Sequence, residues 1–245
     1  MLTAIEATRA DRAALLEIGA ALTPAQWQAP SGCAGWSVQD VVTHLANLFW
    51  MVVDTTRLPD TGGQATEEVQ ELAVVARRGM TAAEALADYE KVSETGLRVL
   101  AELAEARIEL PLGAFGTYLS PVLASAYAFD HYTHIRADLF EPRGPLTGEP
   151  PPSDELRVTA ALDWIEAALP QQYPAQAAAC TLELQITGTG ARVIRFGSGP
   201  AMATITSAAP ALVRWVTHRG SWAELGVEAA GDETALAAAR QLKVY

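Results

Sequence analysis

The chain has 245 residues, half of them hydrophobic and 19% charged, with a net charge of −12 and a pI near 4.7. That length can bury a substantial core, and the acidity argues against broad binding to nucleic acid or an anionic membrane. Residues 1–20 carry Glu6, Arg9, Asp11, Arg12 and Glu17, so no secretory leader is expected, and no run of about 18 apolar residues predicts a membrane span. Two cysteines, Cys33 and Cys180, are too few for a disulfide scaffold, and a reducing cytoplasm is the expected location.

In chain order, a first helix is predicted over 3–22, capped by Thr3, with Ile5, Leu15, Leu16 and Ile18 facing inward. Thr23-Pro24 restarts a short turn that packs Trp27, and residues 30–35 read as a loop in which Cys33 is a packing residue. Ser37 and Asp40 form a capping box opening a second helix to 54, which places His44 in its second turn. Trp36 is expected to anchor that helix in the core. A loop over 58–63 and a shorter helix over 66–78 follow. Thr81 and Glu84 form a second capping box, starting a long helix to 106. Residues 107–119 read as irregular. Ser120 and Pro121 serve as cap and first residue of a helix to about 140. The fold class predicted is α plus α+β. Residues 1–140 form a four-helix bundle, and 141–154, with five prolines and two glycines, are a linker. Residues 155–245 are a small α+β domain. In it a helix over 155–169 precedes strands over 180–186 and 191–196 that flank a Thr-Gly-Thr-Gly turn. A third strand over 201–206, helices over 210–218 and 234–242, and a strand near 225–229 complete it.

The stretch that organises function is Phe129-Asp130-His131-Tyr132-Thr133-His134. Asp130 and His134 are four residues apart, one helical turn on one face, and such a pair can grip one metal ion. His44, from another helix, supplies the third ligand, which leaves positions open for a thiol, water or substrate. Taken singly, His44 reads as a structural histidine and Asp130–His134 as a helix-surface ion pair; together they read as a metal centre. His131 is the rival to Asp130. Asp138, one turn beyond His134, is the candidate acceptor that orients its imidazole. Arg136, Arg214 or Arg219 can offer a guanidinium fork to a carboxylate. Neither cysteine is expected on the ligand face. Tyr127, Tyr132, Phe49 and Trp50 read as packing, and His218 as a surface or domain-interface residue.

With Gly35-Trp36-Ser37 leading into Thr43-His44-Leu45, and Asp130, His134 and Asp138 spaced by four, the chain resembles the mycothiol-dependent maleylpyruvate isomerase family. That family belongs to the wider DinB-like metal-binding helix bundles. Residues 203–206, 212–215 and 227–232 are similar to its sterol-carrier-like C-terminal domain. The resemblance implies His44, Asp130 and His134 as metal ligands, with Asp where the isomerase has Glu, and Arg219 as a catalytic residue. At the last position Thr217-His218-Arg219 departs from the family's aromatic-Gly-Arg. It implies a divalent metal, zinc being the expected ion, and mycothiol as cofactors. In the isomerase a metal-bound mycothiol thiolate adds to the substrate double bond, permits rotation and leaves. The expected function is therefore isomerisation of an unsaturated acid such as maleylpyruvate, or thiol transfer to a small electrophile, by a monomer or homodimer. The alternatives are a non-enzymatic small-molecule or lipid binding protein with a vestigial metal site, and a metal hydrolase needing no thiol.

Overall fold

The structure, a computed structural model, describes residues 2–59 and 67–245. Helix α1 (Leu2–Ala21) begins before Thr3, so Thr3 lies inside the helix rather than capping it. The short α2 (Pro24–Trp27) carries a Thr23–Gln26 capping box and buries Trp27. Helix α3 (Val38–Val53) starts at the expected box, in which the Ser37 hydroxyl accepts the Asp40 N–H and the Asp40 carboxylate accepts the Ser37 N–H. A 3₁₀ turn at Thr55–Arg57 follows. The expected loop over 58–63 and the first residue of the 66–78 helix lie largely outside the described residues. Beyond them, α4 is Glu67–Val75. Helix α5 (Ala82–Ala106) opens on the Thr81–Glu84 box and stops where Arg107 turns left-handed at φ 50°.

Residues 107–119 are not irregular. Glu109–Pro111 (β1) and Thr117–Leu119 (β2) pair antiparallel; strands of three residues are too short to show alternation in sequence. Helix α6 is Ser120–Thr133, and Ser120 does not cap it. Its hydroxyl instead donates to the Leu103 carbonyl and accepts the Ile108 N–H, tying the hairpin to the helix start. Beyond Thr133 the chain leaves α geometry and runs as a π-helical turn, His134–Leu139. That wide turn replaces the uninterrupted helix predicted to 140.

Helix α7 (Glu155–Gln172) passes straight through Pro170, and α8 (Pro174–Ala179) leads into the sheet. The strands are β3 (Leu182–Thr187), β4 (Arg192–Phe196), β5 (Ala203–Ala208) and β6 (Glu228–Gly231), in the order β4-β3-β5-β6. Only the β3–β5 pair is parallel. Helices α9 (Ala209–Val216), α10 (Trp222–Leu225) and α11 (Glu233–Ala239) complete the unit. Leu182, Leu184 and Ile186 of β3, Ile194 and Phe196 of β4 and Ile205 of β5 all point into one core, as period-two patterning requires.

That core does not belong to the C-terminal residues alone. Tyr118, Phe129 and Tyr132 from the bundle side are part of it, and α7 packs along both α6 and α1. A buried ion network reinforces the seam: Asp11 of α1 accepts hydrogen bonds from Arg136 of the π turn and from Arg157 of α7. The guanidinium of Arg136 also lies 4.3 Å from the Tyr132 ring centroid. The π turn is thus held from both units. None of the helices of the described residues is long and apolar enough to cross a membrane.

Candidate metal centre

The three residues come from three elements. The capped start of α3 aims His44 inward, the end of α6 carries Asp130, and the first residue of the π turn is His134. Their ligand atoms all lie within 4.8 Å of one another. The His44 and His134 rings meet edge to face at 4.8 Å between centroids. His44 and His134 are buried, and Asp130 keeps partial exposure. The Nδ1 atom of His44 is buried with no hydrogen-bond partner, and a buried polar atom without a partner marks a place for a ligand, ion or water. Burial, with the neighbouring His134 and His131 adding to it, holds His44 well below the usual histidine range. It therefore presents the neutral imidazole that metals bind. Burial also pushes the Asp130 carboxyl up, against the opposing pull of His134 and Arg219.

His131 is not part of this group. It is fully buried, with Nδ1 2.7 Å from the Tyr127 carbonyl and Nε2 3.0 Å from the Tyr89 hydroxyl. Both ring nitrogens are engaged, and burial lowers its pKa to about 4. Tyr127 donates to the Leu48 carbonyl and Tyr132 to Ser153, so both are packing residues, as are Phe49 and Trp50. Trp36 departs from expectation only in part. It packs against the bundle core, but from a half-buried position beside the site, 5.1 Å from the His44 ring and 6.5 Å from that of His134, with its indole N–H donating to Glu71.

Behind His134 lies a second layer. Its Nδ1 donates to the Asp138 carboxylate at 2.9 Å, which leaves Nε2 as the ring nitrogen available to a cation. Asp138 is completely buried and sits in the fork of Arg219. Nε reaches its oxygens at 3.0 and 2.9 Å, and Nη2 reaches Oδ2 at 2.6 Å. Burial alone would raise the Asp138 carboxyl, but His134 and Arg219 outweigh it and hold it below the usual range. Burial likewise disfavours the His134 imidazolium, yet Cys33 and Asp138 raise its pKa to about 10. A proton and a cation would then compete for the same Nε2 lone pair.

Arg219 was expected to offer its fork to a carboxylate; Asp138 already fills that fork. Its placement follows from His218, whose left-handed backbone at φ 56° turns the chain after α9, while the exposed His218 ring reaches the Leu242 carbonyl. Arg214 contacts the Arg219 carbonyl, and Arg136 is committed to Asp11.

Cys33 is the site residue that sequence reasoning missed. Its Sγ lies 3.6 Å from His134 Nδ1 and 3.8 Å from Arg219 Nη2. Cys33, His134 and Asp138 form a second cluster with ligand atoms within 4.8 Å. The guanidinium of Arg219 touches both Asp138 and Cys33 there, so a fixed positive charge already occupies the place of a cation. Of the two clusters, His44–Asp130–His134 is the one suited to a metal. The loop carrying Cys33 is fixed by Gly32, whose N–H donates to the Asp138 carbonyl at 2.8 Å. A Cβ on Gly32 would stand 2.9 Å from the Asp138 Cα. Gly32→Ala is accordingly expected to displace the π turn and destabilise the fold by about 1–3 kcal/mol, read by thermal unfolding.

The architecture is therefore a helix bundle with a two-histidine, one-carboxylate cluster at its heart, joined to a small α+β unit. The chain belongs to the family described as Mycothiol maleylpyruvate isomerase N-terminal domain, which matches residues 8–139. Two solved structures share the fold. A mutant of the mycothiol-dependent maleylpyruvate isomerase is 14% identical with a TM-score of 0.62, covering 94% of this chain and 92% of that one. A second structure of the mycothiol-dependent maleylpyruvate isomerase is 16% identical with a TM-score of 0.60 over the same shares. No curated protein matches the chain.

Proposed function

We propose that this protein is a metal-dependent enzyme that uses a low-molecular-weight thiol, mycothiol by family, in a reducing cytoplasm. It would isomerise an unsaturated acid such as maleylpyruvate or transfer the thiol to a small electrophile. The observation that carries the reading is the convergence of His44, Asp130 and His134, with the buried Nδ1 of His44 lacking any partner. Two imidazoles and one carboxylate suit a divalent ion such as zinc, with His134 giving up its Nε2 proton as the ion binds. Such an ion, when bound, supplies Lewis acidity that favours the deprotonated form of a thiol.

The chain's own groups do the rest. Asp138 orients the His134 ring through Nδ1 and fixes its tautomer. Arg219 acts on the site through Asp138, as a positioning residue. Trp36 walls one side of the pair of histidines and keeps their surroundings apolar. The test is direct. Purified protein should carry or take up about one equivalent of zinc, nickel or cobalt, and should consume maleylpyruvate or a model electrophile only when mycothiol is added. A protein that takes up no metal is a binding module instead, and turnover without thiol would identify a hydrolase.

A further inference from the structure

The wall that Trp36 gives the metal centre is held by a part of the chain that the proposed reaction leaves unused. Its indole is tilted 48° to the His44 ring and lies 23° from parallel to that of His134. The backbone beneath the indole is pinned. The Trp36 N–H donates to the Cys33 carbonyl at 3.1 Å, and the Trp36 carbonyl accepts from the Ser31 N–H at 2.8 Å and the Ser31 hydroxyl at 2.9 Å. The angle of the ring is then decided by its one polar atom, Nε1, which donates to the Glu71 carboxylate. Glu71 sits on α4, 35 residues further along, and α4 packs along α3. Arg78 steadies the arrangement. Its Nη2 reaches Glu71 Oε1 at 3.4 Å and the Gly35 carbonyl at 3.1 Å, and its Nε reaches Asp40 Oδ1 at 3.2 Å. One guanidinium thus joins α4 to the residue before Trp36 and to the helix that carries His44.

We propose that Glu71 is a positioning residue of the metal centre: its carboxylate sets the angle of the Trp36 ring against His44 and His134, and α4 thereby fixes the apolar wall beside the ligand nitrogens. A hydrogen bond to a carboxylate is about twice as strong as one between neutral groups, enough to select one orientation of a half-buried indole. Without that acceptor the N–H turns toward water, because a tryptophan donor seeks a partner. In turning, the ring uncovers the two imidazoles to solvent, and the shell around a metal site governs its solvent access. The effect on turnover rests on the metal-dependent reading; the placement of the ring does not.

The test therefore begins with metal-free protein. The ring C–H resonances of His44 and His134, assigned through His44→Ala and His134→Ala, carry the ring-current shift of Trp36. Glu71→Leu keeps the bulk of the side chain and removes the acceptor, and should move both sets toward their positions in Trp36→Leu. Glu71→Gln, whose amide oxygen still accepts, should leave them near the parent values. Should the leucine variant not fold, Glu71→Asp, shorter by one methylene, should move them part of the way. With metal and thiol added, Glu71→Leu should lower kcat/KM about tenfold and Glu71→Gln less than about twofold. In the Trp36→Leu background Glu71→Leu should cost nothing further, since the two residues act through one contact. Histidine resonances that Glu71→Leu leaves in place overturn the proposal, as does a loss of turnover that persists undiminished in the Trp36→Leu background. A protein that binds no metal would remove the proposed function, while the resonances would still decide the role of Glu71.

Discussion

His44→Ala is expected to fold like the parent protein and to lose both stoichiometric metal and activity. The residue contributes no hydrogen bond through Nδ1, so deleting the ring removes packing but no polar partner there. The stability cost should stay near about 1–2 kcal/mol. The centre, by contrast, is left with one histidine and one carboxylate, too few for a firmly held divalent ion. Thiol-dependent turnover should fall on the order of 100-fold or more. Metal analysis and circular dichroism on the same sample separate the two effects. Unchanged turnover in a folded, metal-poor variant would remove His44 from the mechanism.

Arg219→Ala should do the reverse, costing stability first and activity through it. Asp138 has no exposed surface, and the Arg219 fork shares its carboxylate with His134. Removing one partner of a buried pair strands the other, at a cost of about 3 kcal/mol or more. Arg143, 3.7 Å from the same carboxylate, offsets part of this. The double change Arg219→Ala, Asp138→Asn should recover much of the lost melting temperature, because no buried charge is then left unpaired. It should not recover metal affinity, since an amide carbonyl is a weaker acceptor for His134 Nδ1–H than a carboxylate. If the single variant melts like the parent, Asp138 is satisfied by other groups.

The parts of this molecule that sequence reveals are those encoded by local chemistry. Ser37 with Asp40 and Thr81 with Glu84 mark helix starts because capping is decided within four residues. The Asp130–His134 spacing reads as a shared face for the same reason. The parts that stayed hidden depend on neighbours distant along the chain. Nothing in the residues 134–139 themselves announces a π turn. It forms where the Gly32 and Leu146 N–H groups donate to its Asp138 and Leu139 carbonyls and Asp11 of α1 accepts from its Arg136. Cys33 looks like loop filling until a segment 101 residues further on is folded against it. Arg219 looks free to meet a substrate until Asp138, 81 residues earlier, is seen inside its fork.

Helix α7 follows the proline-rich stretch in sequence but lies across α1 and α6 in space, over Phe129 and Tyr132. Severing the chain at that stretch would bare an oily flank on the half that carries the histidines. It would also leave Asp138 without its counter-charge from the other half. The two halves therefore cannot be traded independently between proteins; any graft of a new tail must bring its own cover for the flank and its own cation for the aspartate.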